Sequence, residues 1–390
     1  MLPQARLGAG SGSLACISGR PDGWCAWLPR RACRREVSSA GCRQWAFVRA
    51  PPALTVMGAI AKEAEMTEPM SLVLDERAVA APFHEGELVA QQRAGVAAVA
   101  EALGRRGVRM FMPDQHRTFY AQRPFFVVGG LDADGQPWAT LRAGEPGFVV
   151  SPGPRTLAIT GGELRDDPLA GCWRAGSLFG GLGIEPHTRR RNRINGIVTA
   201  IDSDTMSVTV SQSFGNCPKY IQSRVPWRRP VDEGALPPQH RAAWLADADC
   251  EWLARADTFF IASANAEEAA GRARGVDVSH RGGLPGFVRV DDERTLTAPD
   301  YSGNNLFNTI GNLLREPRAG LLFVDFEHGG LLYIAADAQI IWDGPELAAF
   351  DGAQRLVRFK IREVRRSAGV VPFKWSAPEF APQFGSRSAT

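Results

Sequence analysis

The 390-residue chain lacks any run of about 18 apolar residues, so it encodes no membrane-crossing helix. Histidine is scarce. The six present (His84, His116, His187, His240, His280, His328) form no i,i+3 or i,i+4 pair, which argues against a helical metal site. Seven cysteines give no C-x₂₋₄-C pair: Cys16, Cys25, Cys33 and Cys42 stand 9, 8 and 9 positions apart, a spacing that suits neither zinc nor a compact disulfide scaffold. A Gly-x-Ser-x-Gly elbow and a P-loop are also absent. Gly8-Ala-Gly-Ser-Gly12 imitates a dinucleotide fingerprint, but no strand precedes it and no ribose-binding acid follows in a βαβ frame, so it reads as flexible tail.

What is present is first a local excess of charge. Residues 1–65 carry nine Arg/Lys against four acids, a net +5 within a chain of net +3, leaving −2 for the remainder. A slightly acidic body argues against duplex nucleic acid as partner, because such binding needs a basic face that releases counterions. The Arg-rich segment has no apolar signal region and no steady periodicity. It fits an organellar presequence, a disordered tail or sequence upstream of the natural start; the last two are preferred, with Met66 or Met57 as starts. The expected compartment is the cytoplasm, where Cys172, Cys217 and Cys250 stay reduced.

Hydropathy patterning predicts a mainly β chain with helices. Between Glu85 and Arg105, Leu88, Val96, Val99 and Leu103 keep helical spacing and predict one amphipathic helix, with Gln91, Arg93, Glu101 and Arg105 outward. Two β-rich runs flank the turn Asp132-Ala-Asp-Gly135, a hairpin signal. A helix is expected after Asp166-Asp-Pro168, then alternating strands around Asp202-Ser-Asp204. Residues 223–240 hold four prolines and read as a linker. A helix over about Arg241–Ala256 follows, burying Trp244, Leu245, Trp252 and Leu253.

Then the pattern restarts. "GEPGFVVSPGPRTLAI" and "GLPGFVRVDDERTLTA" align without gaps, so that Phe148 matches Phe287 and Leu157 matches Leu296, both 139 positions on. Ile194 and Ile334, and the pairs Phe125-Phe126 and Phe259-Phe260, sit near that register. A period this long indicates tandem domains rather than a solenoid. The expected architecture is two small Greek-key barrels in a pseudo-twofold pair, α+β overall, with a ligand in the shared crevice. The first unit spans 83–222, the linker 223–240, the second unit 241–375 and a C-terminal tail 376–390.

Three stretches could carry chemistry. "SFGNCPKYIQ" (213–222) holds Cys217 without a nearby base, so the thiol reads as packing rather than nucleophile. Arg189, Arg191 and Arg193 would share one strand face and Arg190 the other, either as a solvated entry or as a grip on an anion. In "HRGGLPGF" and "TLTAPDYSGNN", Gly282 permits close backbone approach. Tyr301, Ser302, Gly303, Asn304 and Asn305 place hydroxyl, amide and N–H donors at a helix entrance that suits a phosphate or a simple N-cap.

Residues 83–375 resemble the pyridoxamine 5′-phosphate oxidase-like FMN-binding split barrels, in the tandem form found at the front of larger flavin and iron–sulfur reductases. "RRRNRINGIV…QSFGNCPKYIQ" looks like the distal half of such a barrel, and "GFVRV…TLTAPDYSGNNLFNTIGNLLREPRAGLLFVDF" like its more typical form. The resemblance implies FMN between the units, contacted by His280, Arg281, Gly282, Pro299, Tyr301, Ser302, Gly303, Asn304 and Asn305 of the second unit and by Lys219 and Arg191 of the first. The oxidase proper has Ser-Arg-Lys where this chain has Ser302-Gly303-Asn304, so positive charge would come from Arg281, Arg289, Lys219 or the 189–193 cluster. The reductases' R-x-Y-S and cysteine-cluster motifs are missing. An FMN-dependent oxidoreductase is the implied function, acting on a small molecule with electrons from NAD(P)H or a separate reductase, with a homodimer as the expected assembly. The alternative is a non-catalytic flavin or haem binder. Shifting the second unit's phosphate loop by 139 gives Glu163, Leu164, Arg165 and Asp166, followed by Asp167, a set that would repel a phosphate. By the same shift 212–220 should correspond to 352–360. One flavin per chain is expected.

Overall fold

The structure, a computed structural model, describes residues 82–385. The expectations placed on residues 1–65, including Met57 and the N-terminal cysteines, lie outside the described residues, as does Met66.

The first sheet contains β1 (Phe125–Leu131), β2 (Pro137–Ala143), β3 (Val149–Gly153), β4 (Thr156–Thr160), β5 (Leu178–Glu185), β6 (Arg190–Asp202) and β7 (Thr205–Gly215), ordered β2-β1-β5-β6-β7-β4-β3. The β1–β2 hairpin forms because Asp132 Oδ1 accepts the Asp134 and Gln136 N–H groups while Gly135 takes φ +74°. The second sheet contains β10 (Thr258–Asn265), β11 (Gly275–Gly282), β12 (Arg289–Asp292), β13 (Thr295–Tyr301), β14 (Arg318–Val324), β15 (Leu331–Ile341) and β16 (Ala353–Ser367). Its order, β11-β10-β14-β15-β16-β13-β12, repeats the first sheet's succession strand for strand. All partners are antiparallel. Both units are split β-barrels, and the fold is mainly β with few helices.

Each unit has its own apolar core, built around Phe126, Ile194 and Val208 in the first and around Ile261, Ile334 and Phe359 in the second. A third core joins them, with Val127 and Leu182 packing among Val278, Leu322 and Tyr333. The close approach there is reciprocal. A Cβ on Gly180 would lie 2.3 Å from Val276 O, and one on Gly320 would lie 2.2 Å from Pro137 O. Only glycine lets backbones meet so closely.

Several expectations are corrected. The 85–105 helix is two, α1 (Glu85–Arg93) and α2 (Ala97–Gly107), broken where Gly95 adopts φ +71°. Its predicted inner face is outside: Leu88, Val99 and Leu103 are 49, 54 and 44% exposed. The buried face of α1 is small and polar, because it packs on α5 (Asn308–Arg315), where Glu87 accepts from Asn308 and Gln91 donates to Leu306 O. Gly86 and Gly311 make that crossing possible. Thus residues 85–93, expected in the first unit, pack on the second.

No helix follows Pro168; residues 161–177 form turns in the position that α5 occupies in the other unit. The helix expected from Arg241 is α4 (Asp247–Arg255), and β9 (His240–Ala242) pairs with β16 before it. Leu245 and Leu253 are buried as expected, whereas Trp244 is half exposed. The proline-rich 223–240 is a strap rather than a free spacer. Its β8 (Pro226–Arg228) pairs with β17 (Phe373–Trp375), and Arg229 donates to Val371 O and Gly369 O. Pro226 is tolerated because that two-stranded ribbon needs no donor from it in a central ladder. The tail from 376 is also fastened, with Glu379 and Ser223 exchanging backbone hydrogen bonds of 2.8 and 3.0 Å.

The 139-residue shift fails beyond β15. The 342–352 loop is much longer than the 203–204 turn between β6 and β7. Ser213 pairs with Ile194 as Val364 pairs with Ile334, so 212–220 corresponds to 363–371 and not to 352–360.

Candidate functional site

The start of β6, the 216–220 segment, the ends of β11 and β13 and the start of α5 converge on a crevice between the two units. Its main space is about 90 Å³ and an adjoining one about 50 Å³. Of the residues singled out in sequence, Arg191, His280, Arg281, Tyr301, Gly303, Asn304 and Asn305 line the main space; Lys219, Gly282 and Pro299 line the adjoining one. Ser302 lines neither, and its carbonyl accepts the Tyr220 hydroxyl at 3.1 Å. Arg289 is elsewhere, paired with Asp291 and Glu346.

The arginine cluster divides differently from strict alternation. Arg189 precedes the strand with φ 53° and donates to Ile221 O and Glu379. Arg190 stacks its guanidinium on Phe119 at 4.3 Å on the opposite face. Arg191 and Arg193 reach the second unit. Arg191 donates to Cys217 O (3.0 Å), to His280 Nδ1 (3.1 Å) and to His280 O (3.2 Å), and no carboxylate pairs with it among the described residues. Burial, with Arg193 and Arg281 nearby, pushes its guanidinium down to about 10, partly offset by the Cys217 thiol. Arg193 donates through its two Nη atoms to Asp277, Ser279 and Asn308, which leaves its Nε without an acceptor among the described residues. Cys217, expected as core packing, instead faces the crevice with Sγ 3.7 Å from Arg191 Nη2.

Asp300, 5% exposed, lies between Arg281 and Arg355. The group is net positive. Burial, reinforced by Arg191, Arg281 and Arg224, holds His280 well below the ordinary histidine range, so the ring is neutral. Tyr301 is pushed up to about 12 by burial and by Tyr220. These two tyrosines stack at 5.0 Å, and Phe384 of the C-terminal segment closes against both.

The helix entrance is unusual. Asn305 and Phe307 both take positive φ, and α5 begins without a side-chain cap, so its first N–H groups face a space lined by Phe307, Asn308 and Thr309. Three buried donors around the crevice, Arg193 Nε, Arg355 Nε and Asn216 Nδ2, have no acceptor among the described residues. An acceptor-rich anion fits this donor set. Sequence reasoning missed Asn216, Asp300, Asn308 and Arg355; for Arg355 the wrong register of the 353–367 strand hid the signal.

The corresponding place in the first unit differs. Arg142 donates to Gly161 O and pairs with Glu163 at 3.2 Å. Asp166 accepts from Ser367, and the strap covers the region through Gln239 to Asp166 O and through Arg165 to Glu233 O and Leu236 O.

Residues 245–373 match the family model described as pyridoxamine 5′-phosphate oxidase. No curated protein matches the chain. Among solved structures, it is similar to a candidate pyridoxamine 5′-phosphate oxidase of Lactobacillus delbrueckii, with 17% identity over 32% of this chain and 94% of that one and a TM-score of 0.26. It is also similar to HupZ of Group A Streptococcus (12%, 30% of this chain and 90% of that one, TM-score 0.25) and to an FAD-binding protein of Mesorhizobium loti (14%, 33% and 98%, TM-score 0.23). On the family match, which covers the second unit alone, that unit is a split barrel of the pyridoxamine 5′-phosphate oxidase-like kind.

Proposed function

From that kinship of the second unit we infer that the chain binds one flavin, as FMN, in the crevice between the units and acts as an oxidoreductase on a small molecule. The observation that carries the reading is the set of buried donors without acceptors, together with Arg191, a guanidinium enclosed without a carboxylate. A terminal phosphate dianion answers both. The N–H groups opening α5, Asn304, Asn216 and Arg191 would hold it, with Lys219 adding charge from the first unit.

The main space suits a phosphate-sized group; the ring system needs the adjoining space and a parting of Phe384 from Tyr220 and Tyr301. Bound flavin supplies hydride or single-electron transfer. The chain's part is to orient it, to exclude water with the aromatic stack, and to present a neutral His280 beside Arg191. Electrons would come from NAD(P)H or a separate reductase.

The test is FMN titration of the full chain, with stoichiometry read from absorbance. One flavin per chain is expected. Arg191→Gln and Asn304→Asp should each weaken binding at least about tenfold, the scale of a lost charge-assisted contact. Glu163→Gln, across the molecule, should change nothing. Bleaching by NADH or NADPH with recovery in air separates an oxidoreductase from a flavin or haem store. Two flavins per chain, or indifference to Arg191, would overturn the reading.

A further inference from the structure

A larger space than the crevice lies elsewhere among the described residues. Between the strap, the end of α4 and β17 lies a cavity of about 610 Å³, within the usual range for small-molecule sites. Its walls are aromatic, with Trp227, Trp252, Phe326 and Trp375 among them. Phe326 and Trp375 meet edge to face at 5.2 Å, forming a fixed corner, and the Arg224 guanidinium backs Phe326 at 4.3 Å. Trp227, 47% exposed, offers a further indole face at the rim.

Its polar groups are sorted by charge. Arg224 and Asp257 neutralise one another at 2.6 Å, and Asp325 is engaged by His328 and by two backbone N–H groups. Arg255 and Lys374 have no partner among the described residues, and the carboxylate of Glu327 is the other unpaired charge, so the balance is positive. A separate observation concerns the wall itself. Trp375 is 4% exposed and its Nε1–H has no acceptor among the described residues, although buried indole N–H groups ordinarily find one.

We propose that this cavity is a second ligand site, distinct from the flavin crevice, and that it takes a flat aromatic carboxylate. The ring lies on the indole and phenyl walls, the carboxylate is drawn by Arg255 and Lys374, and an acceptor on the ligand satisfies Trp375 Nε1–H. Planarity follows from the Phe326–Trp375 corner and Trp227; the negative charge follows from the two unpaired cations. This assignment does not depend on whether flavin binds the crevice.

Naphthoate titrated into the full chain, followed by calorimetry and tryptophan fluorescence, tests it. Naphthoate should bind at least about tenfold more tightly than naphthylmethanol, which lacks the charge, and than cyclohexanecarboxylate, which lacks the flat ring. The double variant Arg255→Gln/Lys374→Gln changes only exposed residues and should remove the preference for the carboxylate. Trp375→Phe should weaken binding several-fold by removing the N–H. Arg191→Gln should leave naphthoate binding unchanged. Equal binding of the three probes, insensitivity to the double variant, or loss of binding with Arg191→Gln would overturn the proposal.

Discussion

Arg191 Nη1 lies 3.1 Å from His280 Nδ1, across the boundary between the two units. Arginine can only donate, so Nδ1 must accept and the imidazole proton sits on Nε2. Nitrogen-15 NMR should report a neutral Nε2–H tautomer with no titration from about pH 5 to 8, the window in which an ordinary histidine titrates. Arg191→Gln should raise the ring's pKa but leave it below the ordinary range, because burial, the larger cause, and Arg281 and Arg224 remain. A protonated His280 in the unaltered chain at pH 7 would contradict the geometry.

Asp167 should make the fold less stable as pH rises. Burial pushes its carboxyl up to about 6 from an ordinary 3.8, and its Oδ2 has no partner among the described residues. Its folded pKa is raised, so the unfolded chain releases the proton first. Stability is highest below about 3.8, falls between there and about 6, and is level above. A shift of about two units corresponds to about 3 kcal/mol. Asp167→Asn keeps the Oδ1 that accepts Leu169 N–H and removes the titration. Chemical denaturation at pH 4 and pH 7 should show a larger loss in the parent than in the variant, which keeps the contribution of Glu87, whose carboxyl burial also raises.

Phe384 closes the aromatic stack over the crevice with ring distances of 5.6 Å to Tyr220 and 5.9 Å to Tyr301. Phe384→Ala should speed FMN association in stopped-flow fluorescence by several-fold while changing thermal stability little. Unchanged association would mean that the ring enters by another route.

Gly180→Ala and Gly320→Ala should each destabilise the chain by about 1–3 kcal/mol, since the new methyl would meet a backbone carbonyl that cannot yield as a side-chain end could. Similar losses of melting temperature for the two are expected from their reciprocal positions.

Strand content and pairing were readable because alternation and turn chemistry are local. The Asp132–Gly135 hairpin needed only nearby residues, and the match of Ile194 with Ile334 came from the repeat of the whole pattern. The helices misled because their buried faces depend on distant polar partners: Glu87 is buried against Asn308, and Gln91 donates to Leu306 O. A hydropathy pattern assigns such residues to solvent. Donor chemistry and glycine singled out the 301–305 loop, of which Tyr301, Gly303, Asn304 and Asn305 line the crevice. Arg355 and Asn216 were not, because the 342–352 loop shifts one strand's register and because Asn216 matters only once Asn304 is brought within 2.8 Å of it.

The packing of α1 on α5 sets an order of events during synthesis. Glu87 and Asn308 are 221 positions apart, so α1 leaves the ribosome long before its docking surface exists. At about 5–20 residues per second, that interval is roughly 10–45 s. Throughout it, the small polar face of the nascent helix must wait in water, which favours Glu87 and Gln91 over apolar side chains at those positions: a greasy face would have offered other chains a place to stick.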